Sequence, residues 1–300
     1  MSETILQVTN LVKKIKGKTI LDHVSFEVGQ GDCLALSGPN GAGKTTLMSC
    51  ILGDKKASSG QVFIKGKKGK AQDQIAVLLQ ENTIPSQLRV RELITFFQDI
   101  SENGLSKVEI QALLQFKDDQ YQQFANKLSG GQKRLLAFVL CLIGKPDILF
   151  LDEPTIGLDV SVKDNIRRAI TQINQEEETT ILLTTHDLSD IEQLCDRIFM
   201  IDKGQEIFDG TVSQLKETFG KMKTLSFDLM PGQSHLVSHY EGLPDMTIDR
   251  QGNSLTIEFD SSRYQSADII KQTLSDFEIR DLKMVDTDIE TDIQGYDIDG

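Results

Sequence analysis

The sequence has few cysteines, and their spacing excludes several kinds of site. The four cysteines form no CxxC pair and have no metal-ligand spacing. This argues against a cysteine-held metal and favours buried, reduced thiols in a cytosolic protein. The four are Cys33, Cys50, Cys141 and Cys195.

The sequence also lacks the features of a secreted or membrane-spanning chain. Its N-terminus has no basic segment followed by an apolar run, so no signal peptide is predicted. The longest apolar stretch, residues 135–143, is far shorter than the roughly 18 residues that a spanning helix needs. We therefore expect that this chain does not cross a membrane. Internal repeats and long heptad patterns are missing as well.

Negative charge is concentrated near the C-terminus. The net charge of the chain is −13, and residues 222–300 contain 6 Lys and Arg against 16 Asp and Glu, which is −10 and leaves −3 for residues 1–221. This argues against nucleic-acid binding by the C-terminal part. The basic run at residues 65–70 has no interleaved aromatic side chains, so a solvated turn is favoured over a nucleic-acid patch.

Through residue 219, buried strands alternate with helices, which is typical of a parallel α/β sheet. Alternating apolar residues at the start predict an antiparallel β lobe, and periodic apolar residues predict a helical subdomain at about residues 84–145. Ser106 and Glu109 fit a capping box within that subdomain. The predicted buried strands are residues 33–36, 75–79, 148–151 and 180–184.

A second domain is predicted after the first, which we place at residues 1–219. Residues 222–287 have the order strand, helix at 234–240, hairpin, helix and strand. This β-α-β-β-α-β order predicts a small α+β domain of the ferredoxin-like kind. The acidic tail, residues 288–300, has little periodicity and is predicted to be disordered.

A glycine-rich loop predicts a nucleotide site between a strand and a helix. Residues 38–45 match the pattern G-x(4)-G-K-[ST]. Glycines let the backbone N–H groups face phosphate oxygens, and the helix that follows directs its positive end at the anion. Lys44 is expected to bridge the β- and γ-phosphates, and Thr45 to hold Mg²⁺. The predicted phosphate contacts are Gly38, Pro39, Asn40, Gly41, Ala42, Gly43, Lys44, Thr45 and Thr46.

Two carboxylates follow the apolar strand at residues 148–151. Asp152, at the carboxyl end of this strand, suits Mg²⁺ coordination. Glu153 is one residue further on and points the other way, where it can accept a proton from an attacking water. The alternative is a strand end that is simply capped by acids.

A third motif, Leu128-Ser129-Gly130-Gly131-Gln132, lies between the phosphate loop and these carboxylates. With all three motifs in this order, the sequence resembles the ATP-binding-cassette (ABC) family over residues 1 to about 215. The resemblance implies an ATPase whose cofactors are ATP and Mg²⁺. It also implies two cassettes that close over ATP and act on a partner.

The resemblance implies roles for individual residues. Glu153 would be the general base, Gln80 would touch Mg²⁺ and the lytic water, and His186 would contact the γ-phosphate. Asp159, in the loop Gly157-Leu158-Asp159, would cross to the opposite cassette. Taken alone, Gln80 would be a solvated strand-end residue and His186 a structural hydrogen bonder.

The third motif implies a composite site. In the family its residues cap the γ-phosphate bound to the other subunit, which requires a dimer with two-fold symmetry, here expected to be a homodimer. The alternative for Ser129 is that it is only the N-cap of a helix. The residues of this group are Ser129, Gly130, Gly131 and Gln132.

One position departs from the family pattern. Where the family usually has an aromatic residue that stacks on adenine, this sequence has Ile15 between Lys14 and Lys16. An aliphatic contact would replace stacking. We therefore expect weak base selectivity, with GTP competing with ATP.

The resemblance is to bacterial ATP-binding subunits of ABC-2-type exporters for drugs, antibiotics, peptides or lipid-like compounds. It implies an integral membrane permease as partner and a peripheral place on the cytoplasmic, inner face of the membrane. The alternatives are an importer subunit and a soluble ABC ATPase acting on ribosomes. A single cassette argues against the ribosomal alternative, and no nucleic-acid partner is expected.

Overall fold

The computed structural model describes residues 3–64, 75–81, 84–185, 187–219, 222–230 and 246–286. The chain divides into two compact units, Met1–Val212 and Ser213–Gly300. None of the helices in these described ranges is long and apolar enough to cross a membrane.

The strands are β1 (Thr4–Ile15), β2 (Lys18–Gly29), β3 (Cys33–Ser37), β4 (Ser59–Ile64), β5 (Ile75–Leu78), β6 (Ile148–Asp152), β7 (Thr180–Thr184), β8 (Arg197–Asp202), β9 (Gln205–Thr211), β10 (Met222–Leu229), β11 (Met246–Gln251), β12 (Ser254–Asp260) and β13 (Ile279–Asp286). The helices are α1 (Lys44–Ile51), α2 (Val90–Asp99), α3 (Lys107–Leu114), α4 (Asp118–Gln122), α5 (Gly130–Leu142), α6 (Val160–Glu177), α7 (Leu188–Leu194), α8 (Val212–Phe219) and α9 (Ser266–Asp276), with a 3₁₀ turn at Ala125–Lys127.

A six-stranded sheet forms the centre of the first unit. Its order is β5-β6-β7-β3-β8-β9, and only β9 runs antiparallel to its neighbour. Strands β3 and β7 are buried along their whole length, as their continuous apolar runs predict. Because β7 lies between β3 and β6 and pairs with both, the carboxyl ends of β3 and β6 are two strand spacings apart, about 10 Å at ~4.8 Å each.

The antiparallel lobe is a three-stranded sheet in the order β2-β1-β4. Its inner residues belong to the same hydrophobic cluster as residues of the central sheet, including Leu11 and Phe26 from the lobe and Phe150 from β6. The rings of Phe26 and Phe199 lie 4.6 Å apart between centroids. The lobe and the central sheet therefore share one core.

Helices α2 to α5 form the predicted helical subdomain. The capping box at the start of α3 is confirmed, because Ser106 Oγ accepts from Glu109 N at 3.3 Å and Glu109 Oε2 accepts from Ser106 N at 2.7 Å. Apolar residues of α2 face inward, with Leu93 and Ile94 buried. The subdomain follows β5 and leads through α5 back to β6.

The second unit contains a four-stranded antiparallel sheet in the order β11-β12-β10-β13. Helix α9 packs on it through Ile269, which belongs to a cluster with Phe227 and Phe259. The hairpin turn predicted at Gly252-Asn253 joins β11 to β12. The predicted helix at 234–240 and the tail at 288–300 lie outside the described residues. The ferredoxin-like pattern and the domain limits therefore stay predictions.

Two local expectations from the sequence differ from the structure. Ser189 and Glu192 have the spacing of a capping box and predict that Ser189 caps the helix after residue 184. In the structure helix α7 is capped by Asp187, because Asp187 Oδ1 accepts from Ser189 N at 2.9 Å. Helix α8 was not predicted, although its apolar residues Val212, Leu215 and Phe219 have helical spacing. The basic run at 65–70 lies outside the described residues.

Candidate active site

The phosphate loop joins the end of β3 to the start of α1. Gly38, Gly41 and Gly43 have φ angles of 142°, 87° and 113°, which favour glycine. A Cβ at Gly38 would lie 2.0 Å from the carbonyl oxygen of Ile201, and one at Gly43 would lie 2.9 Å from Leu21 Cδ2. No described atom lies within 4 Å of a Cβ at Gly41. The loop therefore packs tightly on one side and is open on the other.

The turn between β8 and β9 holds this loop in place. Gly204 N donates to the carbonyl oxygen of Ala42 at 2.9 Å, and Asp22 N donates to the carbonyl oxygen of Gly204 at 2.8 Å. A Cβ at Gly204 would lie 2.2 Å from the carbonyl oxygen of Ile20. Main-chain contacts thus link the phosphate loop, the β8–β9 turn and β2.

Lys44 curls over the loop that precedes it. Its Nζ donates to the carbonyl oxygens of Gly38 at 2.5 Å and Pro39 at 3.2 Å. Thr45 is exposed and Thr46 half-buried in the first turn of α1. The ammonium group therefore lies over the loop close to the positive end of the helix, an arrangement that suits an anion.

Asp152 and Glu153 lie at the carboxyl end of β6, beside the end of β7. Thr184 Oγ1 donates to Asp152 Oδ1 at 2.5 Å, and Glu153 N donates to the carbonyl oxygen of Thr184 at 3.0 Å. Glu153 has φ of 49°, a left-handed conformation that costs a non-glycine residue about 1–2 kcal/mol. Hydrogen bonds from the neighbouring strand hold this strained residue in place.

No role was predicted for Arg134, which links the main chain at Gln80 to the main chain at Asp152 and Glu153. Its side chain is 3% exposed. Nη2 donates to the carbonyl oxygens of Asp152 at 2.6 Å and Glu153 at 3.0 Å. Burial lowers the pKa of the guanidinium, and the charges of Asp152 and Glu153 oppose this shift. All its acceptors are main-chain carbonyls, those of Leu79, Gln80, Asp152, Glu153 and Pro154.

The third motif begins helix α5. Ser129 Oγ accepts from Gln132 N at 3.3 Å, and Gln132 Oε1 accepts from Ser129 N at 3.0 Å, so Ser129 is the N-cap. A Cβ at Gly131 would lie 3.8 Å from Asp159 Oδ2, whereas no described atom lies within 4 Å of one at Gly130. This motif and the 157–159 loop are therefore neighbours with an open side.

Of the remaining predicted residues, Asp159 lies in the described part of the chain. Asp159 caps α6, since its Oδ1 accepts from Val162 N at 3.0 Å, and it is exposed. His186 lies outside the described residues. Of its neighbours, Thr185 Oγ1 accepts from Asp187 N at 3.0 Å.

A buried charged cluster lies behind this edge of the sheet. The carboxylate of Asp190 is fully buried and accepts from Arg167 Nε at 2.6 Å and from the hydroxyl of Thr155. Lys163 pairs with Asp187. Burial raises the pKa of Asp187, but the hydrogen bonds from Lys163 and Ser189 outweigh it and hold the pKa below 3.8. The cluster ties α6, α7 and the loop after Glu153 together.

The oxygen-bearing side chains here fit a cation that shares its ligands with phosphates. Within the described part of the chain, no three His, Cys, Asp or Glu side chains come together as a metal site. Mg²⁺ usually binds through one or two carboxylates together with substrate phosphates and water. Asp152, Thr45 and Gln80 are hard oxygen ligands of the required kind.

A groove of about 570 Å³ opens beside Gln80. It lies between β5 and the helical subdomain, and its lining includes Val77, Leu79, Phe97 and Cys141. The Cys141 thiol donates to the carbonyl oxygen of Val77 at 3.4 Å, and burial raises its pKa to about 11. The groove is mainly apolar where these residues line it.

Comparison with known sequences agrees with this geometry. The family described as "ABC transporter" matches residues 21–156. The linearmycin resistance ATP-binding protein LnrL of Bacillus subtilis is 32% identical, over 72% of this chain and 72% of that protein. The Nod factor export ATP-binding protein I of Paraburkholderia xenovorans is 33% identical, over 72% of this chain and 73% of that protein.

Another relative is much longer than this chain. The mouse ABC-type organic anion transporter ABCA8B is 38% identical over 217 residues, which are 70% of this chain and 13% of that protein. The chain therefore spans only a small part of that relative.

Solved structures share the fold. A structure described as an ATP-binding subunit of an ABC transporter has a TM-score of 0.62 and 26% identity, and the match covers 72% of this chain and 94% of that one. The dimeric cassette MJ0796 bound to ADP and Pi has a TM-score of 0.60 and 21% identity, with coverage of 69% and 98%. The predicted α/β cassette fold is confirmed. The chain belongs to the ABC transporter family and is an ATP-binding cassette that hydrolyses ATP.

Proposed function

We propose that this chain is the ATPase subunit of a membrane exporter, in which two cassettes close over ATP and drive a separate permease. One observation carries the proposal. The phosphate loop, Gln80 and the pair Asp152–Glu153 follow strands whose carboxyl ends meet at one edge of the sheet. The third motif starts a helix beside Asp159 and has an open side. This is half of a composite site, which a second cassette would complete.

Nucleotide binding is assigned to the phosphate loop. The open side of the loop at Gly41 leaves its main chain accessible, and Lys44 supplies a cation in the first turn of α1. The hydroxyl of Thr45, the amide of Gln80 and the carboxylate of Asp152 are the proposed Mg²⁺ ligands. Mg²⁺ would neutralise charge on the phosphates.

Hydrolysis is assigned to Glu153, which would accept a proton from the attacking water. Its main chain is fixed on both sides, by Thr184 through the amide and by Arg134 through the carbonyl. Gln80 and His186 would orient the water and contact the γ-phosphate. Fixed geometry of this kind is what general-base catalysis requires.

The second nucleotide contact is assigned to the neighbouring copy. Ser129 and Gly130 are exposed, and Asp159 next to them is exposed as well. Each of these would face the nucleotide held by the phosphate loop of the other cassette, together with Gly131 and Gln132. We propose a homodimer, since the chain supplies both halves of the site.

The contact with the permease is assigned to the groove beside Gln80. An apolar groove of this size fits a short helix of a membrane subunit, and it directly adjoins a proposed catalytic residue. Export is supported by the relatives that act in linearmycin resistance and Nod factor export. The chain would then be cytoplasmic and peripheral on the inner face of the membrane.

The test uses the Glu153→Gln variant, which should bind ATP and stop before hydrolysis. Purified with ATP from detergent-solubilised membranes of its own host, it should bring down a polytopic membrane protein in stoichiometric amount. Lys44→Ala, which should not hold ATP, is the control and should give no stable closed dimer. Recovery of ribosomes instead of a membrane protein would refute the proposal, and a permease with a substrate-binding protein would indicate import.

A further inference from the structure

Arg134 occupies a place where a charged side chain is unusual. It lies one turn into α5, counted from Gly130, and its side chain points away from solvent into the space between the ends of β5 and β6. The next residues of the helix, Leu135 and Leu136, are buried apolar side chains. A cation is costly in such surroundings unless its hydrogen bonds are satisfied.

The guanidinium meets this requirement with main-chain carbonyls. Nε donates to Pro154 O at 3.3 Å, and Nη1 donates to Gln80 O at 3.3 Å and to Leu79 O. With the two contacts from Nη2, the planar fork bridges the chain segments after β5 and β6. A guanidinium has five N–H donors in fixed directions, whereas an ammonium group has three on a flexible stem.

The two bridged segments carry proposed catalytic residues, and the helix carries the proposed contact to the other cassette. Gln80 follows β5, Glu153 follows β6, and Ser129 caps α5 only five residues before Arg134. A rigid link at this junction connects the hydrolytic half of one site with the capping half of the other.

We infer that Arg134 is a positioning residue that fixes Gln80 and Glu153 relative to the start of α5, so that engagement of Ser129 by the second cassette is transmitted to the catalytic residues. The inference rests on the proposed function of Ser129 and Glu153. The hydrogen bonds of Arg134 go to main-chain carbonyls and to no side chain of the site. Arg134 acts on the reaction through the carbonyls that it holds.

The experiment compares full-length Arg134→Lys and Arg134→Gln with Lys133→Gln, which changes the neighbouring, half-buried cation on the same helix. Steady-state hydrolysis is measured across ATP and Mg²⁺ concentrations. Binding of a fluorescent ATP analogue and amide hydrogen exchange are measured on the same preparations. The exchange is followed in segments 79–81 and 153–156.

We expect Arg134→Lys to lower kcat by about tenfold or more, since small misplacements of catalytic groups have effects of this size. Nucleotide affinity should stay within about twofold, because the phosphate loop does not contact Arg134 in the described hydrogen bonds. Hydrogen exchange should quicken in both segments, and the dependence of rate on ATP concentration should lose its cooperativity. Lys133→Gln should match the wild type.

A folded Arg134→Lys protein with wild-type kcat and exchange would overturn the inference. So would a loss of kcat that is matched by an equal loss of ATP affinity, which indicates general disruption. If Arg134→Gln does not fold, Arg134→Lys still decides the question. The Glu153→Gln variant distinguishes failure of the inference about Arg134 from failure of the proposed function. Retained hydrolysis in that variant refutes the proposed function itself. Abolished hydrolysis there, with normal Arg134→Lys kinetics, refutes only the role of Arg134.

Discussion

Replacing Gly38 by alanine should damage the fold of the phosphate loop, whereas the same change at Gly41 should damage mainly its nucleotide contact. Both glycines have positive φ, so both variants place a side chain in an unfavourable conformation. They differ in surroundings. A Cβ at Gly38 meets the carbonyl oxygen of Ile201 at 2.0 Å, and no described atom is within 4 Å of one at Gly41.

The magnitudes follow from these two contributions. An alanine held at φ angles as unfavourable as these costs about 1–3 kcal/mol in either variant. The contact at Gly38 is with backbone and lies well inside 3.0 Å, so β8 or the loop must shift. Overpacking of this kind costs about 1–3 kcal/mol more. Gly38→Ala should therefore lose roughly 2–6 kcal/mol of stability, a large part of a typical total of about 5–15 kcal/mol.

The assay is thermal unfolding of the two variants side by side, followed by ATP binding. Roughly 2–4 °C per kcal/mol applies to a unit of this size, so the Tm of Gly38→Ala should lie about 2–12 °C below that of Gly41→Ala. Gly41→Ala should weaken ATP binding more than its own loss of Tm explains, because its methyl group points to the open side of the loop. Equal melting temperatures for the two variants would refute the argument from packing.

Three further predictions concern other parts of the first unit. Ile15 is 38% exposed at the end of β1. Ile15→Tyr should therefore gain base stacking of about 1–3 kcal/mol and bind ATP more tightly in a nucleotide titration. A wild-type ATP preference of several-hundred-fold over GTP in affinity would contradict weak base selectivity. Lys163→Met should lower the free energy of unfolding, measured by urea denaturation at neutral pH. The loss should fade as pH falls below 3.8, because the lowered pKa of Asp187 contributes stability above its unfolded pKa and none once the group is protonated. Cys141, whose pKa is raised to about 11, should react with iodoacetamide at pH 8 at least roughly 100-fold more slowly in the native protein than after unfolding, and equal rates would contradict its burial.

Local sequence patterns were sufficient to predict much of the central sheet and the start of one helix. The apolar runs in β6 and β7 are short and lack alternation, which is typical of a strand buried on both faces. Ser106 and Glu109 lie three residues apart, a spacing that predicts a capping box at a helix start. Such features depend on neighbours along the chain, so the sequence displays them directly.

The contacts that organise the site were not predictable in the same way. Arg134 binds main-chain carbonyls, which every residue has, so no side-chain pattern marks its partners. Asp190 meets Thr155 across 35 positions of sequence, and only the fold brings the two together. The position of Arg134 at the edge of the longest apolar stretch could have indicated its role, because a charged side chain is rarely buried unless it has hydrogen-bond or ionic partners. The cap of α7 was misplaced because Asp187 and Ser189 are both good capping residues.

The contacts around Gly204 determine when the phosphate loop can fold during synthesis of the chain. The phosphate loop is made early, yet its strand β3 pairs with β7 and β8, and Ala42 receives its hydrogen bond from Gly204, which lies 162 positions later in the sequence. None of these partners exists while the first half of the unit leaves the ribosome. A nascent chain therefore carries a complete nucleotide motif that cannot take its final shape until nearly the whole cassette has been translated. Premature termination before residue 204 would leave this motif without its support, and such fragments should depend on chaperones rather than on ATP for their stability.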